Sequence, residues 1–267
     1  MIPYADNGVK IYYEVEDGGE PAIVFVHGWT ANMNFWREQR EYFKGKHRML
    51  FIDNRGHGKS DKPFNRSFYE FDNFVSDLHA AVKDAGFDRF VLVGHSFGTM
   101  ISMRYCVEHP GRVEVLVLIG GGARIQSLHR YGYPIGRLFA TLAYGISARI
   151  VANMAFGRKA GELRDWGLKE ALENTPKHAA LNTLWTLTTV DLRDIAREIE
   201  KPTLIVVGKE DALLPVSKSE ELSRLIKNSK MVIVPDAGHC VMLEQPEIVN
   251  RVLEEFIHTF SAMLIRA

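Results

Sequence analysis

The chain has 267 residues, of which 46% are hydrophobic, and this suffices for one α/β domain with a substantial core. Lysine plus arginine and aspartate plus glutamate both total 33, so the formal net charge of zero gives no electrostatic reason to expect a nucleic-acid partner. The two cysteines, Cys106 and Cys240, exclude a disulfide framework, and no metal-ligand spacing accompanies them.

The first twenty residues are rich in charged side chains and lack an apolar signal segment, so we expect a cytoplasmic protein. An early strand is predicted from Val9 to Val15. Further short apolar runs alternate with helical stretches, and they cover residues 22–27, 48–53, 90–94, 113–119, 203–208 and 230–234. This alternation predicts an α/β fold with a doubly wound, mostly parallel sheet and helices on both of its faces.

The strand rhythm stops after the three glycines at 120–122, and the next seventy or so residues predict helices only. Within them, the segment from Ile135 to Phe156 carries only Arg137 and Arg149 as charges. Its glycines, its charges and its position inside an α/β pattern favour a pair of buried helices over a membrane span. A final helix near Pro246 is predicted from a continuous apolar stripe.

A serine motif overlaps the end of the apolar run at residues 90–94. Gly94-His95-Ser96-Phe97-Gly98 lies between Phe90–Val93 and a helical segment from Met100, which predicts a strand, a sharp turn and a helix. The serine would stand at the apex of that turn. Its hydroxyl is a weak nucleophile unless a base takes its proton and a third group orients that base.

A candidate base and a candidate acid follow two later strands. Asp211 comes just after the run that ends at residue 208, and His239 comes just after the run that ends at residue 234. Because the carboxyl ends of parallel strands share one edge of the sheet, we expect both side chains to lie near Ser96. Glu210 and Asp236 are alternative acids that the sequence leaves open.

Two backbone amides are candidates for stabilising an oxyanion. The strand at 22–26 ends in His27-Gly28-Trp29, so the N–H of Trp29 and the N–H of Phe97 could face one position beside the serine. The Trp29 indole is also a candidate wall of the acyl pocket. We expect His27 to fix this loop by hydrogen bonding, and His95 to point away from the substrate.

Taken with the segment from Asp53 to Ser60, these motifs resemble those of α/β-hydrolases of the capped esterase, lipase and haloperoxidase-like branch. The resemblance implies a serine hydrolase with Ser96, Asp211 and His239 as its triad. It also implies that residues 123–190 form a helical cap inserted after the sixth strand, between core segments 1–122 and 191–267. Thr99 departs from the family pattern, in which a second glycine often follows the elbow.

The activity that these residues predict is serine carboxylesterase action on short- to medium-chain acyl esters through an acyl-enzyme, without metal or cofactor. Alternatives on the same triad are an acyl-CoA thioesterase, a lactonase, a C–C bond hydrolase and a cofactor-free perhydrolase. An alternative of another class is a non-catalytic ligand-binding protein. Serine rather than aspartate at position 96 argues against dehalogenase and epoxide chemistry.

The predicted cap is locally basic. Residues 123–165 contain seven lysines or arginines and two acids in an otherwise neutral chain. We expect Arg130 and Arg158 to bind substrate at the cap mouth, where coenzyme A or another phosphate-bearing ligand would find a cationic partner. The alternative is that these side chains are solvated or paired with acids of the core.

Overall fold

A computed structural model of the chain describes residues 4–6, 8–125 and 142–264. Within these ranges, eight strands form one sheet in the order β1-β2-β4-β3-β5-β6-β7-β8. The strands are β1 (Tyr4–Asp6), β2 (Lys10–Glu16), β3 (Ala22–Val26), β4 (Met49–Ile52), β5 (Phe90–His95), β6 (Val113–Ile119), β7 (Thr203–Gly208) and β8 (Ser229–Val234). The strands β3 to β8 are parallel to one another, whereas β2 pairs antiparallel with both β1 and β4, which confirms the predicted doubly wound, mostly parallel sheet.

The helices are α1 (Arg37–Phe43), α2 (Phe71–Asp84), α3 (Phe97–Glu108), α4 (Tyr144–Ala155), α5 (Gly161–Asn174), α6 (Lys177–Thr189), α7 (Arg193–Glu198), α8 (Val216–Leu225), α9 (Val241–Glu244) and α10 (Pro246–Leu264). Two 3₁₀ turns cover Met33–Trp36 and Arg66–Tyr69. None of the helices in the described ranges is both long and apolar enough to cross a membrane.

Both faces of the sheet are covered, which explains why the central strands are continuously apolar rather than alternating. Leu92 of β5 belongs to the core on the face of α2 and α3, and its neighbour Val93 belongs to the core on the face of α1 and α10. The stripe on α10 that packs there includes Val249 and Leu253, both fully buried. The predicted last helix is confirmed and begins at Pro246.

The helices α4, α5 and α6 lie between β6 and β7, where the sequence predicts an insertion after the sixth strand. The two ends of this region meet, because Arg124 and Asp191 form an isolated antiparallel bridge and the Leu192 N–H donates to the Ala123 carbonyl at 2.8 Å. This closure supports the proposed cap boundaries at residues 123 and 190.

Candidate active site

Ser96 occupies a strained turn between β5 and α3. Its backbone angles are φ 53° and ψ −116°, a conformation that side-chain-bearing residues rarely adopt and that costs about 1–3 kcal/mol. Two hydrogen bonds hold the turn: the Ser96 N–H donates to the Ile119 carbonyl at 2.9 Å, and the Thr99 hydroxyl donates to the Ser96 carbonyl at 2.6 Å. Thr99, which departs from the family pattern, therefore stabilises the elbow.

Two glycines permit the close approach of strand and helix at this elbow. A Cβ atom at Gly94 would lie 2.5 Å from the Gly98 carbonyl oxygen, and one at Gly98 would overlap the Val26 carbonyl oxygen of β3. Both neighbours are backbone atoms, which cannot rotate away. The motif around Ser96 therefore needs glycine at both positions for steric reasons.

His239 and Asp211 meet beyond the carboxyl ends of β8 and β7. His239 Nδ1 lies 2.7 Å from Asp211 Oδ2, and both residues are buried. The second oxygen of the carboxylate, Oδ1, accepts hydrogen bonds from the N–H groups of Leu213 at 2.9 Å and Leu214 at 2.8 Å. The carboxylate is thus held in place by the chain and can orient the imidazole with its proton on Nδ1, which leaves Nε2 as a base.

The two rival acids are engaged elsewhere. Glu210 is half-buried, and its Oε2 accepts the Arg158 N–H at 3.0 Å. Asp236 is exposed and pairs with Lys159 Nζ at 3.0 Å. Of the three acids that the sequence left open, Asp211 is the one that the structure brings to His239.

Sequence reasoning missed Glu244, which anchors the loop before His239. Its Oε1 accepts the Gly238 N–H at 3.0 Å and its Oε2 accepts the Gly157 N–H at 2.7 Å, while the His239 N–H donates to the Ala155 carbonyl at 2.8 Å. Burial raises the pKa of this carboxyl. These bonds join the His239 loop to the end of α4. The bond between Glu244 and Gly157 spans 87 residues, and no local pattern in the sequence predicts it.

The two candidate oxyanion donors lie beside the serine. Phe97 is the first residue of α3, where N–H groups have no partner within the helix and the helix dipole favours negative charge. Neither its N–H nor that of Trp29 donates to another atom of the described chain. The Trp29 indole lines the cavity at Ser96 and donates from Nε1 to the Ala180 carbonyl of α6 at 2.8 Å. This bond ties residues 27–29, which we call the oxyanion loop after their predicted role, to α6.

The loops behind this site are held by buried polar residues. His27 Nε2 accepts the Asn54 N–H at 3.0 Å, as expected for a residue that fixes the oxyanion loop. Asp53 accepts the Met33 N–H at 2.9 Å and the Lys59 N–H at 2.8 Å. These bonds are structural, and they hold the segment from Asp53 to Ser60 beneath the oxyanion loop.

The side chain of His95 points in a different direction from the one that the sequence predicts. We expected its side chain to point away from the substrate, but it lines the same cavity as Ser96. Its Nε2 donates to the His239 carbonyl at 3.0 Å, and the two imidazole centroids are 4.9 Å apart. The pKa of His95 lies well below its ordinary value, mainly because the ring is buried and secondly because His239 is close. The His95 ring is therefore neutral where it supports His239.

The buried imidazoles predict a loss of stability in acid. Burial lowers the pKa of His27 to about 3 and that of His57 to about 4, and it lowers the pKa of His95 as well. Between about pH 6.5 and the folded-state pKa of each ring, the group gains a proton only in the unfolded chain, so it lowers the free energy of unfolding by ~1.4 kcal/mol per pH unit as the pH falls. Asp53, whose pKa burial raises to about 6, and Glu244 act in the opposite direction and offset part of this loss.

We therefore expect urea denaturation to give a lower free energy of unfolding at pH 5 than at pH 7, by at least the contribution of one imidazole. Equal stability at the two pH values would contradict the neutral, buried state of these three rings.

A cavity of about 170 Å³ opens at Ser96 and His239. It is bounded by the oxyanion loop, by the loops after β7 and β8, and by α4, α5 and α6. Among the described residues that line it, none is Lys, Arg, Asp or Glu. Cys240 lines it too, but burial raises the pKa of its thiol well above the ordinary value, which disfavours the thiolate.

The cap cations lie away from this cavity where they can be placed. Arg158 is exposed and does not line it, and Arg130 lies outside the described residues. Lys159 pairs with Asp236, and Arg124 lies 3.7 Å from Asp191. Pairing with acids thus accounts for part of the positive charge of the predicted cap. Within the described ranges, no three His, Cys, Asp or Glu side chains are grouped to hold a metal ion.

Comparisons with known proteins cover nearly the whole chain. The sequence model described as alpha/beta hydrolase fold matches residues 21–246. The AB hydrolase superfamily protein YisY of Bacillus subtilis (strain 168) is 30% identical over 263 residues, which cover 94% of this chain and 96% of that protein. Human epoxide hydrolase 4 is 25% identical over 280 residues, covering 94% of this chain and 76% of its own. The solved structure of Est816, described as an N-acyl homoserine lactone degrading enzyme, is 28% identical with a TM-score of 0.87, covering 95% of this chain and 100% of that one.

Proposed function

Because the chain belongs to the alpha/beta hydrolase fold family, we propose that it is a serine carboxylesterase acting on short- to medium-chain acyl esters. One observation carries this proposal: the Asp211–His239 pair, joined at 2.7 Å, borders the same cavity as Ser96 on its elbow. A nucleophile, a base and a group that orients the base are the elements that acyl transfer to serine requires.

The proposed reaction has two halves. His239 Nε2 takes the proton of the Ser96 hydroxyl as its oxygen attacks the ester carbonyl, and the N–H groups of Phe97 and Trp29 bind the oxyanion that forms. The C–O bond to the alcohol then breaks, and the alcohol leaves with the proton held by His239. In the second half His239 takes a proton from water and the hydroxide attacks the acyl-enzyme. The bond to Ser96 then breaks, His239 returns its proton to the Ser96 oxygen, and the acid is released.

The cavity supports the proposed acyl chain length. A protein cavity of about 150 Å³ lined by apolar side chains is large enough for benzene, so the one at Ser96, about 170 Å³, suits a group of about six carbon atoms. Its lining contributes mainly alkyl and aromatic atoms, for example from Val151, Leu181 and Leu213. An uncharged short or medium acyl chain would bury its apolar surface there.

A second candidate is lactone hydrolysis. The similarity to the N-acyl homoserine lactone degrading enzyme favours it, because a lactone is a cyclic ester that the same nucleophile can open. The alcohol then stays attached to the acyl group, and water releases both together as one hydroxy acid. Epoxide opening is disfavoured despite the similarity to epoxide hydrolase 4, because Ser96 stands where that chemistry needs an aspartate.

Thioester hydrolysis, C–C bond hydrolysis and perhydrolysis have weaker support. A coenzyme A thioester bound at the cap mouth would depend on Arg130 and Arg158, and the exposed Arg158 lies outside the cavity that holds Ser96. No specific observation favours C–C bond hydrolysis or perhydrolysis. A non-catalytic ligand-binding protein would have no need for the Asp211–His239 hydrogen bond.

A fluorophosphonate probe and a substrate panel test the proposal together. We expect the probe to label the protein on Ser96, and p-nitrophenyl butanoate and hexanoate to be hydrolysed with higher kcat/KM than the dodecanoate, because the cavity holds about six carbons. Acyl-CoA thioesters of the same chain lengths and a γ-lactone series distinguish thioesterase and lactonase activity from ester hydrolysis. Absence of both labelling and turnover would instead favour the non-catalytic protein.

A further inference from the structure

One face of α4 forms part of the cavity wall, and it carries a polar side chain among apolar ones. Ser147, Ala148, Val151, Ala152 and Ala155 all line the cavity, as the spacing of helical turns requires for residues on one face. Apart from Tyr144 one turn earlier, the face is otherwise made of small alkyl groups. A serine in the middle of this face is therefore the feature to explain.

The Ser147 hydroxyl is buried and has no hydrogen-bond partner among the described residues. Serine and threonine within helices commonly bond to a carbonyl one turn earlier, as Thr188 does with the Leu184 carbonyl at 2.7 Å. Ser147 does not, although its own N–H follows the helical pattern and donates to the Ala143 carbonyl at 2.9 Å. Because Ser147 lines the cavity, rotation about its Cα–Cβ bond can turn the hydroxyl toward a group inside it.

Two other side-chain donors of the cavity wall already have partners in the protein, and the unpartnered Nδ1 of His95 is an acceptor because Nε2 donates to the His239 carbonyl. The Trp29 indole donates to the Ala180 carbonyl, and the Tyr144 hydroxyl lies 3.4 Å from the Thr175 carbonyl. His239 is engaged by Asp211 through Nδ1. A substrate oxygen that enters the wall region of α4 would therefore meet Ser147 as its donor.

We propose that Ser147 is a specificity-determining residue, and that the substrates are esters with an oxygen atom, a ketone or ether, on the part that the cavity encloses. This inference rests on the proposed ester hydrolysis at Ser96. A plain alkyl chain leaves the Ser147 hydroxyl buried and unpaired, whereas a chain with an acceptor oxygen satisfies it. Sites with a hydrogen bond to offer discriminate against substrates that cannot accept it.

The test compares matched substrates on wild type and Ser147→Ala. In the acyl series, p-nitrophenyl hexanoate is paired with its 4-oxo and 5-oxo derivatives; in the alcohol series, butyl butanoate is paired with 2-methoxyethyl butanoate. We expect wild type to prefer the oxygen-bearing member of at least one series by about five- to tenfold in kcat/KM. Ser147→Ala should lose this preference and retain hydrolysis of the alkyl esters, since alanine favours the helix.

Ser102→Ala is the matched control. Ser102 is a buried helical serine whose hydroxyl also lacks a partner among the described residues, but it does not line the cavity. It should keep the wild-type preference. Equal substrate ratios in wild type and Ser147→Ala, in both series, would overturn the assignment of Ser147 while leaving ester hydrolysis intact.

Binding of non-hydrolysed analogues separates this inference from the proposed function. Calorimetry with N-methyl hexanamide and N-methyl-5-oxohexanamide, and with N-butyl and N-(2-methoxyethyl) butanamide, measures the same preferences without turnover. If no ester is hydrolysed, the proposed function fails, and the Ser147-dependent difference in Kd still decides the assignment. A difference in Kd that Ser147→Ala abolishes supports it, and equal Kd ratios overturn it.

Discussion

Replacing Ser96 with alanine is expected to lower kcat for ester hydrolysis by ~10⁴-fold or more. The variant lacks the oxygen that would form the acyl-enzyme, and the nearest thiol, Cys240, is disfavoured as a thiolate because burial raises its pKa. The measurement is kcat for p-nitrophenyl hexanoate together with labelling by a fluorophosphonate probe, which should disappear.

The fold should tolerate this change. Alanine at position 96 faces the same positive φ of 53° as serine, so the strain of the elbow is retained and the free energy of unfolding should change by less than ~0.5 kcal/mol. Urea denaturation checks that lost activity is not lost structure. Near-normal hydrolysis by a folded Ser96→Ala protein would show that the nucleophile has been misassigned.

Replacing Asp211 with asparagine is expected to lower kcat by about 10⁴-fold near neutral pH. Asparagine can keep the hydrogen bonds from the Leu213 and Leu214 N–H groups on its carbonyl oxygen, so the loop after β7 should retain its conformation. Its amide would then face His239 Nδ1 with a donor in place of the acceptor Oδ2. The imidazole proton moves to Nε2, which can no longer take the proton of Ser96.

Asp236→Asn is the matched control for this variant. Asp236 is a rival acid in sequence, but it is exposed and pairs with Lys159 instead of His239. Its φ of 53° lies in the left-handed region that asparagine tolerates, so the substitution adds no strain. Its kcat should stay close to wild type, and a larger loss in Asp236→Asn than in Asp211→Asn would reverse the assignment of the acid.

The parts of the fold that the sequence predicts are those governed by local chemistry. Central strands such as β3 and β5 are buried on both faces, so they are continuous apolar runs that can be recognised without a partner. The helix that begins at Pro246 is predicted from this start residue and from its apolar stripe. The three-residue strand β1, Tyr4–Asp6, was not predicted, because so short a segment carries no periodicity of its own.

The positions of the candidate site residues follow partly from the same local rules. Parallel strands deliver the residues after their carboxyl ends to one edge, so Ser96, Asp211 and His239 could be expected near one another. The sequence favoured Asp211 but left Glu210 and Asp236 open as alternative acids. The choice depends on loop paths that turn one carboxylate toward His239 and the others toward Arg158 and Lys159.

The sequence by itself determined the sheet apart from β1, the glycine-flanked elbow at Ser96 and the family, because burial and steric exclusion act on neighbouring residues. Only the tertiary structure decided that His95 supports His239, that Glu244 joins its loop to α4, and that Ser147 stands in the cavity wall without a partner among the described residues. These features depend on hydrogen bonds, formed or missing, between segments far apart in the chain. Such pairings arise from the packing of whole elements, and no local pattern of residue types encodes them.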